Sequence, residues 1–187
     1  EKTIEFTVQN TANFLGKIDI SFSDTFAFDN HFYFVLNSNK KIRVLTVGNT
    51  AEFLSKIYTK DEFEFTNSSL QNINYNTIQN QQLIILNELE SIPEILINSL
   101  VQFSKNGGNI VVIPNKKITI SSYNQLLKSL NLGNIAPLKT DTLKITTINY
   151  KHPIFKNVFS KKITNFQYPA VQSHYPILGS ISKIVSF

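Results

Sequence analysis

The chain has 187 residues, of which 42% are hydrophobic and 12% aromatic, enough for one sizeable domain or for one domain and a fragment. It carries 18 basic against 13 acidic side chains, a net charge of +5, and Arg43 is its only arginine. Because phosphate recognition favours the arginine fork, this composition predicts a solvated basic surface and no nucleic-acid partner. The absence of cysteine excludes disulfides, thiolate zinc sites and a cysteine nucleophile.

Residues 1–38 alternate apolar and polar side chains, a pattern typical of antiparallel strands with one solvated face. Strands are predicted over TIEFTVQ (3–9), GKIDISF (16–22) and HFYFVLN (31–37). So few strands are a poor basis for an independent domain. We therefore expect this part to be the tail of a β-sandwich domain.

The pattern changes at Lys41, where KIRVLTVGN (41–49) forms a near-continuous apolar run. Such a run is typical of a parallel strand that is buried on both faces. Further strands are predicted over FEFT, QQLIILN and NIVVIPN, and helical segments separate them. The alternation predicts a doubly wound α/β sheet with right-handed crossovers and parallel strands near 42–48, 82–87 and 109–114.

The helices are predicted over TAEFLSKIYTK, SIPEILINSLVQFSKNGG and SSYNQLLKSLNLG. Thr50 is the expected N-cap of the first helix. The apolar stripe of the second helix is predicted to comprise Ile92, Ile95, Leu96, Leu100 and Phe103. After Gly133 the pattern weakens, and DTLKITTINY (141–150) predicts an edge strand followed mainly by loops.

Asparagines follow the predicted parallel strands at Asn49, Asn87 and Asn115, and Lys116 and Lys117 come directly after the last of them. In an open α/β sheet, ligands bind outside the carboxyl ends of the strands. An amide both donates and accepts hydrogen bonds, so these residues are candidates to bind a polar or anionic ligand. The alternative is purely structural, because asparagine also forms turns and caps where strands leave a sheet.

Motifs for cofactors and metals are missing. The segment VGNTAEF has one glycine before its helix and matches neither phosphate-loop pattern, so no nucleotide cofactor is expected. His31, His152 and His174 show no H-x-x-x-H or H-x-H spacing, so no metal site is predicted.

Three segments carry a resemblance to a known family: FAFDNHFYFVLNSNKKIRVLTVGN, LIILNELESIPEILINSLVQFSKNGGNIVVIPN and the later HPIF. Together they resemble the periplasmic region of Bacteroidetes membrane proteins of the aerotolerance-regulator-like (Bat-like) type. The resemblance implies a flavodoxin-like, class I glutamine amidotransferase-like domain over residues 41–187, C-terminally truncated, after the β-sandwich tail at residues 1–38. It also implies a membrane-anchored parent protein with this region at the periplasmic face of the inner membrane. The expected partner is a cell-envelope protein or a small polar ligand.

The nucleophile of that enzyme class has no counterpart here. Amidotransferases place a cysteine on a Gly-x-Cys-x-Gly turn, since the nucleophile must project from a strained elbow. At the corresponding position this chain has PNKKITISS (114–122), without cysteine or flanking glycines. A non-catalytic binding module is therefore the expected function. The alternative is a cysteine-independent hydrolase or transferase with Ser121 or Ser122 as nucleophile and His152 or His174 as base.

Overall fold

The computed structural model describes residues 3–7, 13–21, 25, 28, 30–37, 40–159, 163, 167–179 and 182–187. The chain divides into two compact units, Glu1–Lys41 and Ile42–Phe187. In the described ranges, no helix is both long enough and apolar enough to span a bilayer.

The first unit contains an antiparallel hairpin of β1 (Asn13–Asp19) and β2 (His31–Asn37). The predicted strand at 31–37 is confirmed, and the one at 16–22 begins three residues earlier than expected. Residues 3–7 of the first predicted strand are not in a strand, and its last two residues lie outside the described ones. Lys17 and His31 both contact the Asp19 carboxylate, at 2.7 and 2.5 Å, and these contacts lower the pKa of Asp19.

The second unit is built on a four-stranded parallel sheet, as the apolar runs predicted. Its strands are β3 (Ile42–Gly48), β4 (Phe63–Ser68), β5 (Leu83–Asn87) and β6 (Asn109–Ile113). They lie in the order β4-β3-β5-β6, and every neighbouring pair is parallel. The predicted change from antiparallel strands to a separate parallel sheet near Lys41 is confirmed.

Helices cover both faces of this sheet. They are α1 (Glu52–Ile57), a 3₁₀ helix (Tyr75–Asn80), α2 (Glu94–Lys105) and α3 (Ile120–Ser129). The 3₁₀ helix, α2 and α3 pack on the face that carries Leu45, Val47, Ile84 and Leu86. The short helix α1 packs on the opposite face, against Val44 and Ile85. Burial on both faces explains why these strands are continuous apolar runs.

Two local expectations for the helices are wrong. Ala51, not Thr50, is the N-cap residue of α1, and it makes no side-chain cap hydrogen bond. The Thr50 hydroxyl instead accepts a hydrogen bond from Asn67 Nδ2 at 2.9 Å. In α2, Ile95 is 59% exposed, whereas Ile97 is buried. The helix begins only at Glu94, so Leu96, Leu100 and Phe103 set the phase of its buried stripe.

The segment after α3 forms short antiparallel pairs. Its strands are β7 (Asn134–Ile135), β8 (Leu143–Lys144), β9 (Thr147–Ile148), β10 (Ala170–Val171), β11 (Ile177–Leu178) and β12 (Val185–Ser186). The pairs are β7 with β11, β8 with β10 and β9 with β12. Residues 141–150, predicted as one edge strand, therefore form two strands whose partners lie near the end of the chain. A one-turn 3₁₀ helix, Pro153–Phe155, lies between β9 and β10.

Candidate functional site

The strand order creates a topological switch point between β3 and β5. From β3 the chain crosses by α1 on one face to β4, and from β5 it crosses by α2 on the opposite face to β6. The loops that leave the carboxyl ends of β3 and β5 therefore diverge. In sheets of this kind, such a divergence opens a cleft at the carboxyl edge, where ligands bind.

A cleft of about 240 Å³ lies at this position. We call it the switch-point cleft. Its lining residues come from the loops after β3, β4, β5 and β6: Gly48, Asn49, Ser69, Leu70, Gln71, Glu88, Leu89, Glu90 and Asn115. Most of these side chains are polar, so the cleft presents mainly hydrogen-bonding groups to a ligand.

Glu88 occupies the centre of the hydrogen-bond network in this cleft. Its carboxylate accepts a hydrogen bond from Asn49 Nδ2 at 3.1 Å, and its carbonyl oxygen accepts one from Asn115 Nδ2 at 3.2 Å. Its own N–H donates to the Ile113 carbonyl oxygen at 2.8 Å. The φ angle of Glu88 is 54°, in the left-handed region that residues with a Cβ adopt at a cost.

Asn87, the last residue of β5, is joined by two hydrogen bonds to the backbone of Asn49, which follows β3. The Asn49 N–H donates to the Asn87 carbonyl oxygen at 3.0 Å, and Asn87 Nδ2 donates to the Asn49 carbonyl oxygen at 2.7 Å. The side chain of Asn87 is almost fully buried, and its Oδ1 has no hydrogen-bond partner among the described residues. Asn87 thus positions the loop that carries Asn49 and does not itself line the cleft.

The candidate lysines lie next to Asn115 but outside the site. Neither Lys116 nor Lys117 lines the switch-point cleft. Lys117 is exposed, and its backbone N–H donates to Asn115 Oδ1 at 3.1 Å, which fixes the turn after β6. Lys116 and Asn115 both line a different cavity. Of the five predicted residues, the structure therefore places two, Asn49 and Asn115, on the cleft surface.

Sequence reasoning missed the acidic residues of the site. Glu88 and Glu90 line the cleft, and both belong to the segment NELE (87–90) that follows β5. The signal is in the sequence, because these two carboxylates come directly after a buried strand. The asparagines form the more prominent pattern, since they recur after three strands and the carboxylates follow only one.

The serines of the alternative enzyme hypothesis are not arranged as nucleophiles. The buried Ser122 hydroxyl donates to the Thr119 carbonyl oxygen at 2.9 Å and accepts from the Ile92 N–H at 3.1 Å. It therefore joins the first turn of α3 to the loop before α2. Ser121 is exposed on the same helix. Over residues 114–122, no residue has a positive φ of the kind that a strained elbow requires.

The candidate bases are not paired with these serines. His152 Nδ1 accepts the Ile154 N–H at 3.3 Å and caps the one-turn 3₁₀ helix. His174 lines the cavity that contains Lys116. Within the described segments, neither Ser121 nor Ser122 is hydrogen-bonded to a histidine.

Among the described side chains, no group of three or more His, Asp or Glu is placed to hold a metal ion.

Comparison with protein-family models finds no match to the chain, and comparison with curated proteins finds no significant match.

Proposed function

We propose that this chain is a non-catalytic, amidotransferase-like binding module of a bacterial envelope membrane protein, and that it binds a small polar ligand in the switch-point cleft. The observation that carries the proposal is Glu88, a strained residue at the carboxyl edge of the sheet whose position is fixed by Asn49 and Asn115. Backbone strain of this kind costs about 1–3 kcal/mol and clusters at functional sites.

The strand order supports the flavodoxin-like, class I amidotransferase-like part of the proposal. Numbered along the chain, the parallel strands lie in the order 2-1-3-4, which is the first part of the flavodoxin-like order 2-1-3-4-5. Placement of the parent protein at the periplasmic face of the inner membrane rests on the family resemblance of the sequence alone.

The lining of the cleft favours a neutral or cationic ligand over an anionic one. Among the described residues that line it, the ionisable ones are Glu88 and Glu90. The amides of Asn49 and Gln71 add both donors and acceptors. A ligand with hydroxyl, amide or ammonium groups matches this surface, whereas a carboxylate or phosphate would face two like charges.

The segment from β6 to α3 supports a non-catalytic role, because residues 114–122 lack the elbow geometry and Ser122 in α3 is already hydrogen-bonded twice. We expect the purified chain to hydrolyse neither glutamine nor p-nitrophenyl acetate above background. Labelling of Ser121 or Ser122 by a fluorophosphonate probe would contradict this and favour the serine-hydrolase alternative.

Binding is tested by NMR titration of the ¹⁵N-labelled chain with glycerol, glutamine, spermidine and acetate. We expect one or more of the first three to shift the backbone amides of Asn49, Glu88 and Asn115, and acetate to leave them unchanged. Glu88→Gln should weaken the response to spermidine. Glu64→Gln is the control, because Glu64 is an exposed carboxylate on β4 that does not line the cleft. Identical titrations for the two variants, or no response at the cleft, would refute the proposal.

A further inference from the structure

A second cavity, of about 370 Å³, lies between the end of β6, helix α3 and the segment 173–177. We call it the α3 cavity. Its walls are mainly apolar and include Val112, Leu126, Leu127, Ile135, Leu138 and Ile177. Its volume lies in the range of sites for small organic ligands, which are concave, mostly apolar and supplied with a few polar groups.

One buried polar atom among the lining residues lacks a partner. His174 lines the α3 cavity, and its buried Nδ1 makes no hydrogen bond to the residues that the structure describes. Leaving a buried polar atom without a partner is unfavourable. The two tyrosine hydroxyls of the lining are already engaged, because Tyr123 donates to the Leu89 carbonyl oxygen and Tyr175 to the carbonyl oxygens of Asn115 and Lys116. The imidazole of His174 therefore has an unused hydrogen-bonding nitrogen, whereas both tyrosine hydroxyls are used.

The charge of the lining has one sign. Lys116 and His174 are its basic residues, and none of the described residues that line the α3 cavity is acidic. Lys116 is exposed, so its flexible side chain carries an ammonium group at the edge of an apolar space. This charge is opposite to that of the switch-point cleft, with which the α3 cavity shares Asn115.

The wall that carries His174 is held in place. The backbone of His174 pairs with Lys139 through two hydrogen bonds of 2.9 and 3.0 Å. The imidazole ring packs against Phe187 with centroids 5.4 Å apart. The Tyr175 hydroxyl joins the same segment to the end of β6. The cavity is therefore formed before any ligand arrives, which lowers the entropic cost of binding.

We propose that the α3 cavity binds a small apolar carboxylic acid, with an aromatic or short aliphatic body against Leu127 and Ile177 and its carboxylate between Lys116 and His174. This site is separate from the switch-point cleft and takes a ligand of the opposite charge, so it goes beyond the proposed function. Charge-assisted hydrogen bonds to the carboxylate supply the preference for an acid over a neutral analogue.

The test is NMR titration of the ¹⁵N-labelled full chain with 3-phenylpropanoate and, as its neutral match, 3-phenylpropanamide. We expect saturable shifts at Ile135 and Ile177 with the acid, and binding of the amide at least about tenfold weaker because it cannot pair with the ammonium group. No saturable binding, equal affinity for the two compounds, or shifts confined to Asn49 and Glu88 would overturn the proposal.

Variants of two neighbouring lysines test whether Lys116 itself contacts the carboxylate or whether any nearby positive charge has the same effect. Lys116→Ala should weaken binding of 3-phenylpropanoate by about fivefold or more, as expected for loss of a charge-assisted contact. Lys117→Ala, which removes the same charge from a residue outside the cavity, should leave it unchanged. His174→Phe should also weaken binding, with the unperturbed part of the NMR spectrum as the control for folding. Equal effects of Lys116→Ala and Lys117→Ala would overturn the assignment of Lys116.

Discussion

Gly48 is the residue that permits the close approach of β3 and β5 at the candidate site. Its φ of 124° lies in the region that favours glycine. A Cβ at this position would lie 2.1 Å from the Asn87 carbonyl oxygen, which is itself hydrogen-bonded to the Asn49 N–H. Because this oxygen belongs to the backbone of a sheet, no side-chain rearrangement can relieve the clash.

We expect Gly48→Ala to lower the free energy of unfolding by about 2 kcal/mol or more, because it adds a clash to an unfavourable φ. The control is Gly107→Ala. Gly107 also has a positive φ, of 88°, but a Cβ there would meet nothing within 4 Å. That variant should lower the free energy of unfolding by only about 1 kcal/mol. Denaturant unfolding measures both values, and equal losses would contradict the role of the Asn87 contact.

Tyr123 is a buried residue whose hydroxyl group makes the stability of the fold depend on pH. Its side chain is 1% exposed, and its hydroxyl donates to the Leu89 carbonyl oxygen at 2.5 Å. Burial, with a smaller contribution from Tyr175, raises the pKa of Tyr123 from 10.0 to about 12. Since the pKa in the folded state exceeds the unfolded value, the neutral hydroxyl stabilises the fold fully below pH 10. That contribution is lost as the pH rises from 10.0 towards about 12.

At pH 7 we expect Tyr123→Phe to lower the free energy of unfolding by about 1–3 kcal/mol, because the Leu89 carbonyl oxygen loses its donor. Between pH 10 and 12 the wild-type protein should lose stability more steeply than the variant. Denaturant midpoints measured across this pH range test the expectation. Parallel curves for the two proteins would show that Tyr123 does not titrate with folding.

At the scale of elements, α2 shows how one helix fixes both the core and the cleft. Leu96, Leu100 and Phe103 are buried against the sheet, while Ile95 on the same helix is 59% exposed. The loop before α2 begins at Glu88, so the packing of the helix also limits where that carboxylate lies.

We expect Leu100→Ala to cost about 2–5 kcal/mol, the range for a large-to-small change in a packed core. Ile95→Ala is the matched control and should cost less than about 1 kcal/mol, since little apolar area is removed from contact. Thermal or denaturant unfolding of the two variants measures both losses of stability. A large loss of stability in Ile95→Ala would mean that the exposed face of α2 is covered in solution.

For the whole molecule, the division into two units is the main organisational feature. The buried clusters of the second unit contain only residues from Val44 onward. The hairpin of the first unit, by contrast, leaves Leu15 79% exposed and Tyr33 70% exposed. An isolated two-stranded hairpin is marginally stable in water, whereas a sheet covered by helices on both faces holds its own core.

We therefore expect the chain without residues 1–41 to keep the parallel sheet and to unfold cooperatively, with a midpoint temperature close to that of the whole chain. Backbone NMR spectra and thermal unfolding test this directly. In the whole chain, amides of β1 and β2 should exchange with solvent faster than those of β3 and β5. Loss of cooperative unfolding on truncation would show that the hairpin stabilises the second unit.

The sequence by itself determined the parallel strands, their alternation with helices and the change of architecture near Lys41. These features follow from local patterns, because a strand buried on both faces must be apolar at nearly every position. It also located the strand ends that border the site, and so predicted that Asn49 and Asn115 would lie at the carboxyl edge.

Only the tertiary structure decided which strands are neighbours, and the pairing of these strands brings the residues of the site together. Pairing of β5 with β3 on one side and with β6 on the other places Glu88 between Asn49 and Asn115, although the two asparagines are 66 positions apart in the chain. The same holds for the α3 cavity, where the bridge to Lys139 anchors His174 and the cavity wall combines His174 with residues of α3. Strand order and distant pairing depend on the packing of the whole core, which no local pattern of residues encodes.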